Sequence, residues 1–221
     1  MYSPRNIARI VGVLYIIGTV AGILSLVFGG AIVTGEDYLT EANANENQII
    51  LGTLFVLLMG LALAMIPVFM YPILKKENKT LALGYVVFRG ALETIMYVLG
   101  IICWLLLLTL SHEFVAAGTP DNSYFQTLGN LVQEAMASID HISAIIFSIG
   151  GIMFYYVLFQ ANLVPKWLSG WGLVSLVLVI AVGIAGMFGT DLMVLWAPLA
   201  IQEMVLALWL IFKGFNKSTL K

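Results

Sequence analysis

Long apolar segments recur along this chain and constrain its fold more than any other feature. A segment of 25 residues forms a helix about 38 Å long, enough to cross a bilayer with some tilt. The chain is 61% hydrophobic and only 10% charged, against about 25% charged in an average soluble protein. The apolar segments cover residues 8–33, 49–73, 81–110, 138–161, 168–188 and 193–213. We therefore predict an all-α membrane protein: one polytopic domain over residues 1–221, folded as a six-transmembrane-helix bundle.

Charges in the connecting segments separate by sign. Nine of the ten Lys and Arg residues lie in alternate segments, at 1–9, 74–80, 162–167 and 213–221. Lys and Arg are absent from the intervening segments, at 34–48, 111–137 and 189–192, which carry acidic residues instead. Because basic residues stay on the cytoplasmic side of a membrane, we expect both termini to be cytoplasmic. No basic surface suited to nucleic acid is present.

The longest acidic segment contains a predicted turn followed by an amphipathic segment. Pro120, Asp121 and Asn122 are typical of a turn, and Ser123 is typical of a helix start. Apolar residues then recur at helical spacing over residues 123–137. Two interpretations stay open: a helix on the outer surface, or an outward extension of the fourth span.

The third span carries polar residues at intervals of four. Tyr85, Arg89, Glu93 and Tyr97 form one slanting stripe on a helix, since each step of four advances about 40°. Arg89 and Glu93 have the spacing of an ion pair. A charge at the centre of a bilayer helix costs roughly 2.5–3.5 kcal/mol, so such residues usually face a partner, a cavity or a substrate.

The sixth span carries Gln202 and Glu203. Glu93 lies about 18 Å from the start of its span and Glu203 about 15 Å from the start of its own, so both fall near the middle of the membrane. One Arg and two carboxylates leave an excess acid, which can hold or exchange a proton. We take Tyr85, Arg89, Glu93, Tyr97, Gln202 and Glu203 as the candidate binding residues.

A weaker candidate is a metal site formed by His112, Asp140 and His141. These residues fall near the outer ends of spans three and four. Asp140 and His141 are adjacent and project about 100° apart on a helix, and no recognised ligand spacing is present. We predict no metal and no cofactor. The single cysteine, Cys103, is interpreted as a packing residue.

The whole chain resembles a family of bacterial integral membrane proteins known as domain of unknown function 4386 (DUF4386). The matching stretches are Ala8–Tyr15, Leu81–Tyr85 with Arg89 and Glu93, Trp167–Gly172, Ala197–Leu199, Gln202–Glu203, Leu208–Ile211 and Lys213–Phe215. The resemblance implies a multi-pass protein of the bacterial cytoplasmic (inner) membrane. It implies no reaction, because the family has no assigned activity.

Three functions are compatible with these residues. The first is a transporter or binding protein for a small solute, a lipid or a proton, with membrane lipid and a small-molecule or lipid ligand as partners. The second is an intramembrane enzyme acting on a lipid-like substrate through Glu93 or Glu203 as general acid and base. The third is a non-catalytic protein in which Arg89 and Glu93 form a buried ion-pair lock. The substrate, the presence of catalysis and the oligomeric state stay open.

Overall fold

The computed structural model describes residues 3–118 and 123–216, and within them the chain is helical without a strand. Six of the described helices are long and apolar enough to cross a membrane. These six helices are α1 Pro4–Val33, α3 Glu46–Glu77, α4 Lys79–Ala117, α5 Ser123–Gln160, α6 Lys166–Met187 and α7 Met193–Phe212. A short helix, α2 Tyr38–Ala44, lies between α1 and α3. The predicted all-α bundle with six transmembrane helices is confirmed.

Short polar signals set the two ends of α4. Asn78 alone separates α3 from α4, and its side-chain oxygen accepts a hydrogen bond from the Leu81 amide at 3.0 Å, which caps the new helix. At the far end, Gly118 adopts a left-handed conformation with φ of 55°, which glycine tolerates without a steric penalty. The predicted turn residues Pro120, Asp121 and Asn122 lie outside the described residues.

The first and last described residues of the chain lie at one end of the bundle, which we call the basic end. Arg5 Nη2 donates to the Phe212 carbonyl at 2.6 Å, and Asn216 Nδ2 donates to the Asn162 carbonyl at 2.6 Å. These contacts join the start of α1, the end of α7 and the segment between α5 and α6. The ends of α3, α4 and α6 at this end of the bundle carry Lys75, Lys76, Lys79 and Lys166.

We call the opposite end the acidic end. There, Gln133 Nε2 donates to the Val33 carbonyl at 2.8 Å, and the Ser111 hydroxyl donates to the Leu39 carbonyl. The carboxylates of this end include Glu36, Asp37, Glu41, Glu46, Glu113 and Asp191. The separation of charge read from the sequence is therefore a separation in space. That the basic end faces the cytoplasm stays a prediction.

The amphipathic segment 123–137 is continuous with the fourth span. Helix α5 runs without a break from Ser123 to Gln160, so this segment extends the span rather than forming a separate surface helix. Helix α2 packs against the extension, where the Tyr38 hydroxyl donates to Asn130 Oδ1 at 3.1 Å. Gly129 lies directly beneath the Tyr38 ring, and a side chain there would collide with it.

Small residues bring the helices together. A Cβ atom on Gly18 would lie 2.7 Å from Leu63 of α3, and one on Gly12 would lie 2.6 Å from the Ala207 carbonyl of α7. Helix α1 therefore packs between α3 and α7, as close approach through glycine allows. Helix α5 packs against both α4 and α6.

Two membrane-spanning helices contain a π-helical segment. The first covers Leu26–Gly30 in α1, and the second covers Val86–Leu92 in α4. The second segment contains Arg89, which lies at the centre of the polar residues predicted from the sequence. π-helical segments inside α-helices occur frequently at functional sites. The regular α-helical period assumed for the stripe from Tyr85 to Tyr97 is thus interrupted at Arg89.

Candidate binding site

The centre of the site is the Arg89 side chain, which contacts carboxylates on two helices. Its Nη1 lies 2.5 Å from Oε1 of Glu93 on the same helix, and its Nη2 lies 3.5 Å from Oε1 of Glu203 on α7. The side chains of Arg89 and Glu93 are 3% and 1% exposed, whereas that of Glu203 is 18% exposed. The structure therefore brings together Arg89, Glu93 and Glu203.

Helix α5 completes the surroundings of the guanidinium. The Arg89 Cζ lies 4.2 Å from the centroid of the Phe147 ring, in the arrangement of a cation–π contact. Gly150 makes this approach possible, because a Cβ atom there would lie 3.0 Å from the Phe88 Cβ and 3.2 Å from the Arg89 amide nitrogen. Sequence reasoning missed both residues of α5, since neither a Phe nor a Gly stands out in an apolar span.

The two carboxylate oxygens of Glu93 differ in their hydrogen bonding. Its Oε1 accepts a hydrogen bond from the Tyr97 hydroxyl at 2.5 Å in addition to the contact with Arg89. Its Oε2 is buried and has no hydrogen-bond partner among the described residues. A buried polar atom without a partner is rare in native structures and calls for an explanation, such as an ordered water or a ligand.

The charges in this cluster do not balance when both acids are ionised. One guanidinium faces two carboxylates, and within residues 3–118 and 123–216 no other Lys or Arg forms an ion pair with them. An unpaired charge away from water is costly. The arrangement can therefore accept one proton, and Glu203 is the more accessible of the two acids.

Gln202 is buried but bonds to other partners. It accepts a hydrogen bond from the Tyr155 hydroxyl at 2.7 Å and donates one to the Leu168 carbonyl at 3.0 Å. These bonds connect α7 to α5 and α6. Gln202 thus holds α7 in position, while Glu203 on the next face of the helix meets Arg89.

Tyr85 is also buried, on the side of the cluster nearer the basic end. Its ring stacks on that of Phe154 with centroids 4.7 Å apart. Its hydroxyl lies near Tyr15 of α1 but has no hydrogen-bond partner with acceptable distance and angles among the described residues. Tyr15 and Tyr155 were not predicted from the sequence. The available signal was that each places a hydroxyl inside an apolar span.

A cavity of about 450 Å³ lies between the middle of the bundle and the acidic end. Parts of α1, α3, α4 and α5 form its wall, which is mostly apolar. The polar residues that line it are Ser25, Thr34, Tyr97, Asp140 and Ser143. Its volume falls within the range of about 300–1,000 Å³ that is usual for ligand pockets. Tyr97 belongs both to this wall and to the charged cluster.

The three residues of the weaker metal candidate are not brought together. His112 Nε2 lies 3.6 Å from Oε2 of Glu46. The His141 ring packs against Gly186 of α6, whereas Asp140 lines the cavity. The part of the chain that the structure describes contains no group of three residues able to hold a metal ion. The divergence of Asp140 and His141 follows from their adjacency on one helix.

These features define a multi-pass, all-α membrane protein with a charged cluster in its interior and a cavity beside it. The chain belongs to the family described as domain of unknown function (DUF4386), whose family model matches residues 10–214. The match spans every residue of the cluster and the cavity. No curated protein and no solved structure matches the chain significantly.

Proposed function

We propose that this protein binds a small amphiphilic molecule in the cavity and couples its occupancy to a proton held by the cluster of Arg89, Glu93 and Glu203. The observation that carries this proposal is the double role of Tyr97. Its side chain lines the cavity, and its hydroxyl donates to Glu93 at 2.5 Å. A molecule that displaces Tyr97 would change the hydrogen bonding of Glu93 and hence the charge balance around Arg89.

Movement of the solute or of the proton across the membrane is the transport form of this function. When a ligand binds next to a shared proton, its affinity changes as the proton leaves, because the binding free energies of the ligand and the proton are linked. In the orientation predicted from the basic residues, the cavity lies in the outer half of the bacterial cytoplasmic membrane. A ligand would then enter from outside and meet the cluster at the membrane centre.

A buried structural lock is the second candidate function. The observation in its favour is that Arg89 is 3% exposed and joins α4 to α7 and α5. A lock accounts for Arg89 and Glu93. It does not account for the excess acid, the unpartnered Oε2 of Glu93 or the cavity beside Tyr97.

Filling the cavity tests the proposed function. Gly100 lines the cavity, and a Cβ atom there would meet open space, so G100L should add bulk without a clash. Gly170 is a matched control in α6, because a Cβ atom there would lie 3.8 Å from its nearest neighbour, an ordinary contact. Binding of the neutral fluorescent probe N-phenyl-1-naphthylamine is measured in lipid nanodiscs, with empty discs as the background.

We expect saturable probe binding in the wild type and in G170L, and binding at least several-fold weaker in G100L. Equal binding by G100L and the wild type would place the probe elsewhere and overturn the proposal. Absence of saturable binding in the wild type would also overturn it and would favour the structural lock.

A further inference from the structure

Asp140 is the charged residue of the cavity. Among the described residues that line it, Asp140 alone carries a charge, and it takes part in no ion pair with a described Lys or Arg. Two of the neighbouring hydroxyls are satisfied locally: Ser25 donates to the Gly22 carbonyl at 2.8 Å, and Thr34 donates to the Gly30 carbonyl at 2.9 Å. Asp140 is exposed at the cavity wall, so its carboxylate is open to whatever occupies the cavity.

The cavity also presents aromatic rings held in fixed positions. Trp104 fits between two glycines, since a Cβ atom on Gly29 or Gly52 would lie 2.6 or 2.8 Å from its ring. Tyr97 is held by its hydrogen bond to Glu93. Aromatic faces attract cations, and Trp does so best. The neighbouring methionines, Met59, Met96 and Met136, supply flexible apolar contacts.

The electrostatic field at this end of the bundle also favours a cation. The connecting segments 34–48, 111–118 and 189–192 contain acidic residues and neither Lys nor Arg. A cleft surrounded by charges of one sign concentrates ligands of the opposite sign. The nearest guanidinium, that of Arg89, is already paired with Glu93 and Glu203.

We propose that the ligand of this cavity is a lipophilic organic cation, held by the Asp140 carboxylate and by the rings of Trp104 and Tyr97. This inference rests on the proposed function and names its class of ligand. A metal ion is a poor occupant, because within the described ranges no three suitable ligands converge. A largely apolar cavity of about 450 Å³ with one carboxylate instead suits a bulky ion that carries its own apolar surface.

Two ions of the same shape and opposite charge test the inference. Tetraphenylphosphonium and tetraphenylborate are titrated against bound N-phenyl-1-naphthylamine in nanodiscs of zwitterionic lipid, and displacement of the probe is followed by fluorescence. In the wild type, we expect the phosphonium to displace the probe at a concentration about tenfold lower than the borate does. In D140N this preference should disappear, and the melting temperature of the purified variant in detergent checks separately that it is folded.

The matched control is E134Q, which removes an exposed carboxylate from the same helix outside the cavity wall. It should keep the wild-type preference. Equal displacement by the two ions in the wild type, or a preference that survives in D140N, would overturn the inference that the ligand is a cation bound by Asp140. Either result would leave the proposed function intact. That wild-type result needs no variant, so misfolding of D140N cannot hide it. Loss of all probe binding in the wild type would overturn both proposals.

Discussion

The Tyr97 hydroxyl donates to Oε1 of Glu93, the same oxygen that the Arg89 guanidinium contacts, and both distances are 2.5 Å. One carboxylate oxygen therefore takes both a neutral and a charged donor, while the other takes none from the described residues. The tyrosine is the part of this arrangement that a ligand in the cavity can reach. Removing the Tyr97 hydroxyl would break the link between the cavity and the charged cluster and would leave both in place.

Replacing Tyr97 with Phe should weaken the bundle modestly and change ligand binding. The variant keeps the ring and removes a hydrogen bond to a charged group, which contributes about 1.5–3 kcal/mol in proteins generally. We expect a lower melting temperature in detergent and loss of the pH dependence of N-phenyl-1-naphthylamine binding. The control is Y156F, whose ring is 47% exposed on the outside of the bundle. If Y97F and Y156F show the same melting temperature and the same pH dependence of probe binding, the hydrogen bond from Tyr97 to Glu93 has no role in ligand binding.

Removing Arg89 alone should be worse than removing it together with Glu93. R89M leaves the buried Glu93 and the partly exposed Glu203 without their cation, and breaking a buried pair such as Arg89–Glu93 costs about 3–5 kcal/mol. In R89M/E93L a single acid remains, which a proton can neutralise. We expect thermal unfolding of purified protein to show a higher melting temperature for the double variant than for R89M. A double variant as unstable as R89M would contradict the assignment of Glu93 as the main partner of Arg89.

Replacing Glu203 with Gln should preserve folding and abolish proton coupling. The change removes the excess negative charge and leaves the Arg89–Glu93 pair in place. Tyr15 of α1 and Tyr155 of α5 also lie near Glu203, so the side chain retains polar neighbours. We expect the melting temperature to change by only a few degrees. The affinity for the neutral probe should depend on pH in the wild type and not in E203Q.

The control for this variant is E113Q, an exposed carboxylate at the acidic end. It should show the pH dependence of the wild type. A pH profile of E203Q that matches the wild type would assign the proton to another group, and collapse of the variant would favour a purely structural cluster.

Orientation in the membrane can be tested with single cysteines. In a C103A background, E36C lies at the acidic end and K76C at the basic end. If basic residues stay inside, a membrane-impermeant maleimide added to intact cells should label E36C and leave K76C unlabelled until the cells are lysed. Labelling of K76C in intact cells would reverse the predicted orientation and place the cavity in the inner half of the membrane.

The spans could be predicted from the sequence because length and apolar composition are physical requirements for crossing a bilayer. The common depth of Glu93 and Glu203 followed from counting residues along a helix. Their shared contact with Arg89 did not, since it depends on the order of helices in the bundle. The segment 123–137 was left between two interpretations, because an amphipathic pattern does not show whether a helix continues past it.

The rest of the site lay beyond sequence reasoning for different reasons. Gln202 was grouped with Glu203 because the two are adjacent, yet adjacent residues project about 100° apart and here meet different partners. Phe147 and Tyr155 belong to a helix whose role became visible only through packing. The π-helical segment around Arg89 is a local choice of hydrogen bonds that leaves no period in the sequence.

The π-helical segment Val86–Leu92 also fixes the direction of everything that follows it in α4. Each residue added to or removed from a helix turns the portion beyond it by about 100°. A π-helical turn holds about one residue more than an α-helical turn, so this segment takes up an extra residue without rotating the half of α4 that carries Glu93, Tyr97 and Trp104. If the same residues were α-helical, Arg89 would face one wall and its partners another. The wide turn therefore acts as a spacer that keeps the two halves of the helix aimed at a common interior.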